Sequence, residues 1–491
     1  MPGRFRKNRL WPCASRTWFL TWSAAGLLTA AALLHGCHLD DQEDEATGPT
    51  ERVSIANANA AQANGGSGDG TRLVVGIPES ASRRPGLSGD SRYVVFDSVA
   101  TNLVPGLATN GHRQIYLRDR QTNLTEMISL NSAGNGGGNG DSYAPVVSDD
   151  GQTVVFESGA TDLVFGIVDT NQASDIFLRD RTARRTERVS QFENGTPGIC
   201  AGTGAACASY EPAINADASV IAFGATARLA IDDVDTHADI YVLQRGGSSP
   251  VLQRATPSFA ASAPSPSQGN PSVSADGRFV AFASTSTQLA NVVTVNTQDA
   301  VSDIFLYDVA ARTSRKVSVP FSGAPANGHS YAPSVSGDGR FVAFWSNAKN
   351  LTAAFPKTTD TADIFVADMS TQVPTMARVS LGLNNQQANG DSQYPAISRN
   401  GAYVAFVSRA NNFDTPATDA NTLFDVYRVD RACTPCNSRR VSVAVAGRDA
   451  DRDSTAPAVS ADGQTIAFFS DATTLVPADT NGARDAFLRQ L

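Results

Sequence analysis

The chain has 491 residues and a formal net charge of −9 at pH 7. Residues 1–36 contain five basic residues and no acidic residue, which leaves −14 for the rest of the chain. An acidic surface repels phosphate backbones, so the composition argues against nucleic acid as a partner. The length alone would allow two or three domains, but an internal repeat takes precedence over that estimate.

Residues 1–37 are predicted to be an export signal. A basic start is followed by an apolar stretch of 17 residues from Trp18, and the segment ends Leu34-His35-Gly36-Cys37. This ending resembles a bacterial lipobox, although His35 stands where a small residue is usual, and the resemblance implies lipidation of Cys37. The alternative is an uncleaved single-span anchor, because the apolar stretch is long for a signal core. Both interpretations export the remainder, and residues 38–49 then form an acidic tether.

One pattern recurs seven times after residue 50. Each copy has a tight turn of the type Ser-x-Asp-Gly, an apolar strand that ends in a fixed Phe, and a second strand of the type Asp-Ile-Phe. Successive copies are 60, 67, 59, 62, 62 and 62 residues apart, and their turn residues are Asp90, Asp150, Asp217, Asp276, Asp338, Asn400 and Asp462. A fixed period of this length indicates a repeat architecture, and each copy is too short to bury its own apolar face. The copies should therefore close into one body.

Each copy predicts four strands joined by hairpins. In the fifth copy the predicted strands are 331–336, 340–346, 362–368 and 377–380. These runs are short, rich in Val, Ile and Phe, and bounded by Gly, Asn, Asp and Pro, which is typical of strands. Two aromatic positions recur in every copy and are predicted to lie in the core. The position in the second strand is Phe96, Phe156, Phe223, Phe282, Phe344, Phe406 and Phe468, and the position in the third strand is Tyr116, Phe177, Tyr241, Phe305, Phe365, Tyr427 and Phe487.

The seventh copy lacks a fourth strand. The chain ends at Leu491, directly after the third strand, whereas Thr50-Glu-Arg-Val-Ser54 at the other end matches Thr186-Glu-Arg-Val-Ser190 of the second copy. An N-terminal strand that completes the last sheet removes an exposed edge. We therefore predict an all-β fold, a seven-bladed β-propeller of four-stranded antiparallel blades over residues 50–491. Arg52–Ser54 should pair with Asp485–Leu488.

Three segments of the fourth copy carry a family resemblance. They are Ser-Ala-Asp-Gly-Arg-Phe-Val-Ala-Phe-Ala-Ser at 274–284, Asp-Ile-Phe-Leu-Tyr-Asp at 303–308 and Arg-Lys-Val-Ser at 315–318. Together they resemble the WD40-like repeat (PD40 type) of TolB-like β-propellers, and the resemblance covers roughly residues 50–491. It implies a bacterial envelope propeller, often a platform for binding other proteins. TolB has six blades and a further N-terminal domain, whereas this chain shows seven longer repeats, so only the fold carries over.

The additional length of each repeat lies between the second and third strands, and between the fourth strand and the next first strand. In an antiparallel blade both connections leave on one side, which we call the long-loop face and predict to be the binding surface. Tyrosines at the entry to the first strands are expected to ring the mouth of the central channel, although each could instead pack on the neighbouring blade. Arg83 and Arg84 occupy the same place in the first copy and are an anion-binding candidate. The other candidates on this face are Tyr143, Tyr210, Tyr331, Tyr394, His112 and His237.

Four loops between second and third strands, at 169–175, 235–239, 419–421 and 479–485, carry oxygen side chains at alternating positions, and the candidate calcium ligands lie in two of them. These ligands are Asp169, Asn171 and Asp175 in the second copy, and Asp479, Asn481 and Asp485 in the seventh. Oxygen ligands of this kind suit Ca²⁺, although the spacing lacks the third alternate ligand and the bidentate Glu of an EF-hand. The alternative is that these Asp and Asn residues form turns and cap strand starts.

Two close cysteine pairs are predicted to be disulfides, Cys200–Cys207 and Cys433–Cys436, as expected after export to an oxidising compartment. The alternative for Cys433-Thr434-Pro435-Cys436 is a redox motif. That chemistry uses a Cys at a helix N-terminus, whereas this motif lies between two strand-like runs.

No catalytic constellation is recognisable in the sequence. A Gly-x-Ser-x-Gly elbow is absent, and no α/β domain follows the repeats. The predicted function is that of a non-catalytic cell-envelope lipoprotein, a monomer that binds protein, peptide or polysaccharide and requires no cofactor. Its membrane contact would be an N-terminal lipid anchor, on the periplasmic side of the outer membrane or at the cell surface. The alternative is a secreted carbohydrate-active or hydrolytic propeller enzyme that uses carboxylates on the long-loop face.

Overall fold

Seven four-stranded antiparallel sheets form the fold in the computed structural model of the chain. Each sheet is one blade, and the predicted seven-bladed β-propeller is confirmed. Within the described residues the helical structure consists of two short 3-10 turns, Leu383–Asn385 and Val445–Gly447. The structure describes residues 48–57, 61–68, 84–167, 171, 173–191, 207–235, 237–247, 249–256, 268–286, 289, 301–353, 357–413, 419–432 and 438–491.

The strands follow the chain in blade order. The N-terminal strand is β1 (Glu51–Arg52). Blade one has β2 (Gly86–Leu87), β3 (Tyr93–Ser98), β4 (Gln114–Asp119) and β5 (Leu124–Met127), and blade two has β6 (Ser142–Val147), β7 (Thr153–Ser158), β8 (Asp175–Asp180) and β9 (Arg185–Arg188). Blade three has β10 (Ser209–Ile214), β11 (Val220–Ala225), β12 (Asp239–Gln244) and β13 (Val251–Arg254), and blade four has β14 (Gln268–Val273), β15 (Phe279–Ser284), β16 (Asp303–Asp308) and β17 (Thr313–Lys316). Blade five has β18 (Ser330–Val335), β19 (Phe341–Ser346), β20 (Asp363–Asp368) and β21 (Thr375–Arg378), and blade six has β22 (Ser392–Ile397), β23 (Tyr403–Ser408), β24 (Asp425–Asp430) and β25 (Arg439–Arg440). Blade seven has β26 (Ser454–Val459), β27 (Thr465–Ser470) and β28 (Asp485–Gln490).

The conserved turn after each first strand is stabilised by its own side chains. In blade one, Ser88 Oγ donates to Asp90 Oδ1 at 2.7 Å, and the same oxygen accepts the N–H of Arg92 at 3.0 Å. Ser88 Oγ also accepts the N–H of Tyr93 at 2.9 Å, which fixes the start of β3. The residue after the turn aspartate has a positive φ, 69° at Gly151 of blade two, and glycine adopts this conformation without strain. The predicted Ser-x-Asp-Gly turn is therefore a hydrogen-bonded unit.

The first strands of blades two to seven each contain a β-bulge at a proline. In blade two the register with β7 shifts between Tyr143 and Val146, and Ala144 has a φ of 49° directly before Pro145. Proline has no N–H to offer to a ladder, so it is tolerated at a bulge. The bulge lies midway along the innermost strand, where the strand lines the channel.

The predicted aromatic residues form one stacked pair inside every blade. Phe96 and Tyr116 are cross-strand partners with ring centroids 6.0 Å apart. The other blades repeat this pair with centroids 5.9–6.0 Å apart. The surrounding apolar clusters each combine residues of two adjacent blades, so the core consists of seven interfaces between blades. Offset stacking of this kind adds to the stabilisation from buried area.

The N-terminal strand closes the ring as predicted. In the pairing of β1 with β28, Glu51 lies opposite Leu488 and Arg52 opposite Phe487. The N–H of Val53 donates to the carbonyl oxygen of Ala486 at 2.9 Å, which extends the pairing. Residues of blade seven then pack against blade one in a shared apolar cluster. The last blade is thus built from both ends of the chain.

Thr47–Leu491 group as one compact unit. The predicted signal, including Cys37, and most of the predicted tether lie outside the described residues, so these boundaries stay predictions. Within the described ranges, no helix is both long and apolar enough to cross a membrane.

Candidate functional site

The two ends of the propeller differ in the length of their connections. In blade one the turn between β2 and β3 spans five residues, whereas the connection between β3 and β4 runs from Val99 to Arg113. The connections between blades, such as 128–141, leave on the same side as this longer loop. The antiparallel topology therefore gives the protein the predicted long-loop face and, opposite it, a face of tight turns.

On the long-loop face, a buried aspartate begins the third strand of six blades. In blade seven this residue is Asp485, whose Oδ1 accepts a hydrogen bond from Ser54 Oγ at 2.6 Å. Arg52 Nε lies 3.5 Å from Asp485 Oδ2, and Arg52 Nη2 lies 2.9 Å from Asp479 Oδ2. Burial raises the pKa of both carboxyl groups. The arginine of the closing strand thus supplies a positive charge between two buried acids.

The same arrangement recurs in blades two to six. The cation that pairs with this aspartate is always the last residue of the fourth strand. The pairs are Asp175–Arg188 at 3.8 Å, Asp239–Arg254 at 3.2 Å, Asp303–Lys316 at 2.5 Å, Asp363–Arg378 at 3.4 Å and Asp425–Arg440 at 3.8 Å. A hydroxyl two residues further on donates to the same aspartate in each blade. The recurrence identifies a polar network that belongs to the repeat itself.

Blade one replaces this network with uncharged residues. Gln114 stands where the other blades have aspartate, and Met127 stands where they have arginine or lysine. Ser129 Oγ still donates to Gln114 Oε1, at 2.5 Å. Because acid and base are lost together in one blade, the ion pair is a matched unit. The joint replacement of the aspartate and the basic residue in one copy was visible in the sequence and could have predicted the ion pairs, but the sequence analysis did not use it.

The network occupies the predicted calcium positions that the structure describes. Besides Asp479 and Asp485, Asn481 uses its Nδ2 to donate to Asp485 Oδ2 at 2.8 Å, and its Oδ1 accepts the N–H of Ala483 at 3.1 Å. In blade two, Asn171 Oδ1 accepts the N–H of Ala173 at 3.0 Å, as expected of a turn residue. Asp169 lies outside the described residues. A cation at either position would have to share these oxygens with arginine, and Ca²⁺ binding stays a prediction.

Blades three and six carry more acid than base in this network. In blade three, the carboxylates of Asp233, Asp235 and Asp239 lie within 4.8 Å of one another, and all three residues are buried. Arg254 contacts Asp233 at 3.1 Å as well as Asp239, and Tyr241 donates to Asp233 Oδ2 at 2.6 Å. Burial raises the pKa of Asp239 to about 7. This cluster is therefore a proton-holding structural centre, internally bonded within the described residues.

Blade six repeats the excess of acid. Arg440 lies near the carboxylates of Asp419, Asp425 and Asp449, and Tyr427 Oη donates to Asp419 Oδ2. Burial raises the pKa of Asp425 to about 7. One arginine faces three carboxylates here, whereas in blade three Arg254 contacts Asp233 and Asp239 and the third carboxylate, that of Asp235, lies beside His237.

The structure places the four candidate tyrosines in different environments. Tyr210 is buried against Gly224, and Tyr331 stacks on Trp345 with centroids 4.8 Å apart. Tyr394 packs into the apolar clusters on both sides of blade six, and Tyr143 Oη donates to Asp141 Oδ2 at 3.2 Å. The bulge that follows these residues was not visible in the sequence. The alternative of packing between blades therefore applies to Tyr331 and Tyr394, whereas Tyr210 packs on the second strand of its own blade.

The two predicted histidines have different environments. His112 is exposed, with Nδ1 3.3 Å from Asp141 Oδ1. His237 is buried, with Nδ1 3.2 Å from Asp235 Oδ1. Burial removes His237 from the exposed binding surface, which corrects the expectation for that residue, whereas His112 lies on the surface as expected.

Of the predicted cysteine pairs, the structure describes one member. Cys207 is buried and disulfide-bonded. Its predicted partner Cys200, as well as Cys433 and Cys436, lies outside the described residues, so both pairings stay predictions.

Arg84 reaches into the central channel. Its Nη1 donates to the carbonyl oxygens of Pro395 at 3.4 Å and Pro457 at 3.5 Å, in blades six and seven. Burial lowers the pKa of Arg84 to about 10. The neighbouring candidate Arg83 lies outside the described residues.

Exposed apolar side chains concentrate on the long-loop face. Of the nine exposed large apolar residues in the described part of the chain, six lie on this face: Val99, Phe165, Ile231, Val234, Phe321 and Val445. Phe165 is 90% exposed, and Ile231 and Val234 are 97% and 70% exposed in the same loop of the adjacent blade. Large exposed apolar side chains that form a contiguous surface mark interaction sites, and these three lie in corresponding loops of adjacent blades.

The fold is shared with solved structures. An oligogalacturonate lyase in complex with manganese is 12% identical, with 91% of this chain and 97% of that chain covered and a TM-score of 0.50. A putative TolB from Agrobacterium tumefaciens is 15% identical, with 77% and 98% covered and a TM-score of 0.39. TolB from Acinetobacter baumannii is 14% identical, with 81% and 80% covered and a TM-score of 0.33. No protein-family model and no curated protein matches the chain. At these identities the likeness shows the β-propeller fold alone.

Proposed function

We propose that this chain is a non-catalytic binding platform of the cell envelope, and that its long-loop face binds a protein or peptide. The observation that carries the proposal is the exposure of Phe165, Ile231 and Val234 in neighbouring loops of blades two and three. Exposing large apolar groups to water has a free-energy cost that a protein partner removes by covering them.

The bonding of the buried aspartates on the long-loop face supports a structural role for them rather than a catalytic one. Asp239, Asp363, Asp425 and Asp485 are buried and bonded to cations and hydroxyl groups of their own blades. A general acid or base must instead lie within hydrogen-bond reach of a substrate. The acids thus hold the loops in place, and the apolar side chains remain free for contact with a partner.

The apolar patch can be tested with matched variants. The double variant Phe165→Ser, Ile231→Ser is expected to recover at least tenfold less partner than the native chain when the full chain is cross-linked in its own envelope and affinity-purified, because apolar anchors dominate binding free energies. The control is Leu124→Ser, Val373→Ser, which removes side chains 57% and 66% exposed in hairpins of the opposite face. Circular dichroism should show that both variants keep the β fold.

Three outcomes are distinguishable in this experiment. Loss of one specific protein partner in the first variant but not in the control supports the platform. Equal recovery from both variants contradicts it. Turnover of a polysaccharide, abolished by single Asp→Asn changes in the long loops, would instead support the alternative of a hydrolytic or carbohydrate-active propeller.

Anchoring by lipid is a separate part of the proposal. We expect the native chain to incorporate labelled fatty acid and to remain in the membrane fraction, and Cys37→Ala to lose the label, because the thiol is the acceptor in a lipobox-type sequence. Label retained in Cys37→Ala would refute lipidation at this position. An unlabelled chain that stays in the membrane after a high-salt wash would support the uncleaved anchor.

A further inference from the structure

The central channel contains a cation without an ion pair. Arg84 has two long hydrogen bonds to carbonyl oxygens, at 3.4 and 3.5 Å, and no carboxylate among the described residues pairs with it. The contrast with the blades is clear, because Arg52, Arg254 and Arg440 each contact two or more aspartates. Arg84 is half-buried, and removing part of a charge from water without a partner has a free-energy cost that a bound counter-ion offsets.

The cavity around Arg84 is otherwise uncharged. It has a volume of about 190 Å³, and its walls come from the first strands of several blades. The walls are mainly Pro, Val, Ala and Ile, with the polar side chains of Asn270, Ser272 and Ser334 on one side. Among the described lining residues, Arg84 is the charged one. An anion that enters this space would meet one guanidinium and no carboxylate of the described wall.

The opposite end of the channel is closed by bonds between blades. Backbone N–H groups at the tight turns donate to carbonyl oxygens of the next blade, from Gly89 to Asp149 at 3.1 Å and onward around the ring to Arg399. The side chains of Asp149 in blade two and Arg399 in blade six form an ion pair across this end. The carboxylate of Asp149 is therefore already paired with a cation.

We infer that the channel is a binding site for a small anion, in which Arg84 holds one carboxylate or phosphate group. The planar guanidinium offers two parallel N–H donors that match the oxygens of either group. Partial burial strengthens this contact relative to the same contact in bulk water. The site lies inside the channel, so it is distinct from the apolar patch of the proposed function and does not depend on it.

Thermal unfolding and calorimetry on the full chain test the site with three probes. Sodium phosphate, sodium acetate and, as reference, sodium chloride are compared at equal ionic strength and pH 7. We expect phosphate or acetate to raise the melting temperature of the native chain in a saturable manner, because a ligand bound by the folded state stabilises it. The anion with the larger effect identifies the phosphate or the carboxylate as the preferred group.

Two variants make the assignment specific to Arg84. Arg84→Gln should lower the affinity for the anion roughly 10- to 100-fold, as expected when a charge-assisted hydrogen-bonded pair is lost. In chloride alone, the same variant should melt at or above the temperature of the native chain, because no ion pair is broken. Arg278→Gln, at an exposed ion pair with Asp308, should respond to the anion like the native chain.

Two results would contradict anion binding by Arg84. An equal response of Arg84→Gln and the native chain, or no response of the native chain to phosphate and acetate beyond that to chloride, would show that Arg84 binds no anion. Failure of the apolar-patch variants to lose a partner would leave this result unchanged, since the two experiments measure different sites.

Discussion

Replacing Arg52 with methionine is expected to destabilise the propeller by about 3–5 kcal/mol. Arg52 is buried and contacts Asp479 and Asp485, whose side chains are also buried. Removing the guanidinium leaves two carboxylates in the interior without a cation, at the seam where both ends of the chain meet. Denaturant unfolding followed by circular dichroism measures the change. Arg278→Met is the control, because the exposed pair with Asp308 should contribute no more than about 1 kcal/mol.

The residues of blade one indicate which further substitutions should restore the stability lost in Arg52→Met. Its sequence from Ala108 to Gln114 aligns with Asp479 to Asp485, and Met127 takes the register position of Arg52. The triple variant Arg52→Met, Asp479→Ala, Asp485→Gln therefore gives blade seven the uncharged residues that stand at the equivalent positions of blade one. We expect it to recover most of the lost stability, since replacing a whole buried ion pair is often neutral. A triple variant no more stable than Arg52→Met alone would show that the network is not a transferable unit.

The fold could be predicted because its signals are local and repeated. The closing strand, the tight turns and the stacked aromatic pairs each depend on short motifs, and seven copies make them visible. The pairing of Arg52 with Asp479 and Asp485 spans more than 400 residues, and it depends on a strand register that the sequence analysis used only to close the ring. The aspartates were therefore attributed to calcium or to turns, although their cationic partners stood in the fourth strands.

The environment of the tyrosines at the start of the first strands could not be predicted for a different reason. In blade five the residue after Tyr331, Ala332, has a φ of 50° in the bulge, whereas in blade six Tyr394 itself has a φ of 51°. A residue before proline ordinarily prefers extended backbone, so alternation along a regular strand does not predict on which side such a tyrosine lies.

Stability should fall as the pH rises from 5 to 8. Asp239 and Asp425 have pKa values of about 7 in the folded protein, raised chiefly by burial, against about 3.9 in an unfolded chain. Between these values the folded state binds more protons than the unfolded state, so by linkage the folded state loses stability with rising pH until the folded carboxyl groups have ionised. Full ionisation of each group costs at most about 4 kcal/mol. Melting temperatures measured at pH 5 and pH 8 give the slope of stability against pH.

The slope can be assigned to these two carboxyl groups by substitution. Asp239→Asn, Asp425→Asn keeps the shape of both side chains and removes their titration, so the melting temperature of the double variant should fall less between pH 5 and pH 8 than that of the native chain. Asp119→Asn is the control: hydrogen bonding to Arg92 lowers the pKa of that carboxyl group, which is ionised in both states across this range. Asp119→Asn should lose some stability and keep the native slope. A native melting temperature that rises from pH 5 to pH 8, or a double variant with the native slope, would mean that Arg254 and Arg440 keep both aspartates ionised and that neither cluster stores a proton.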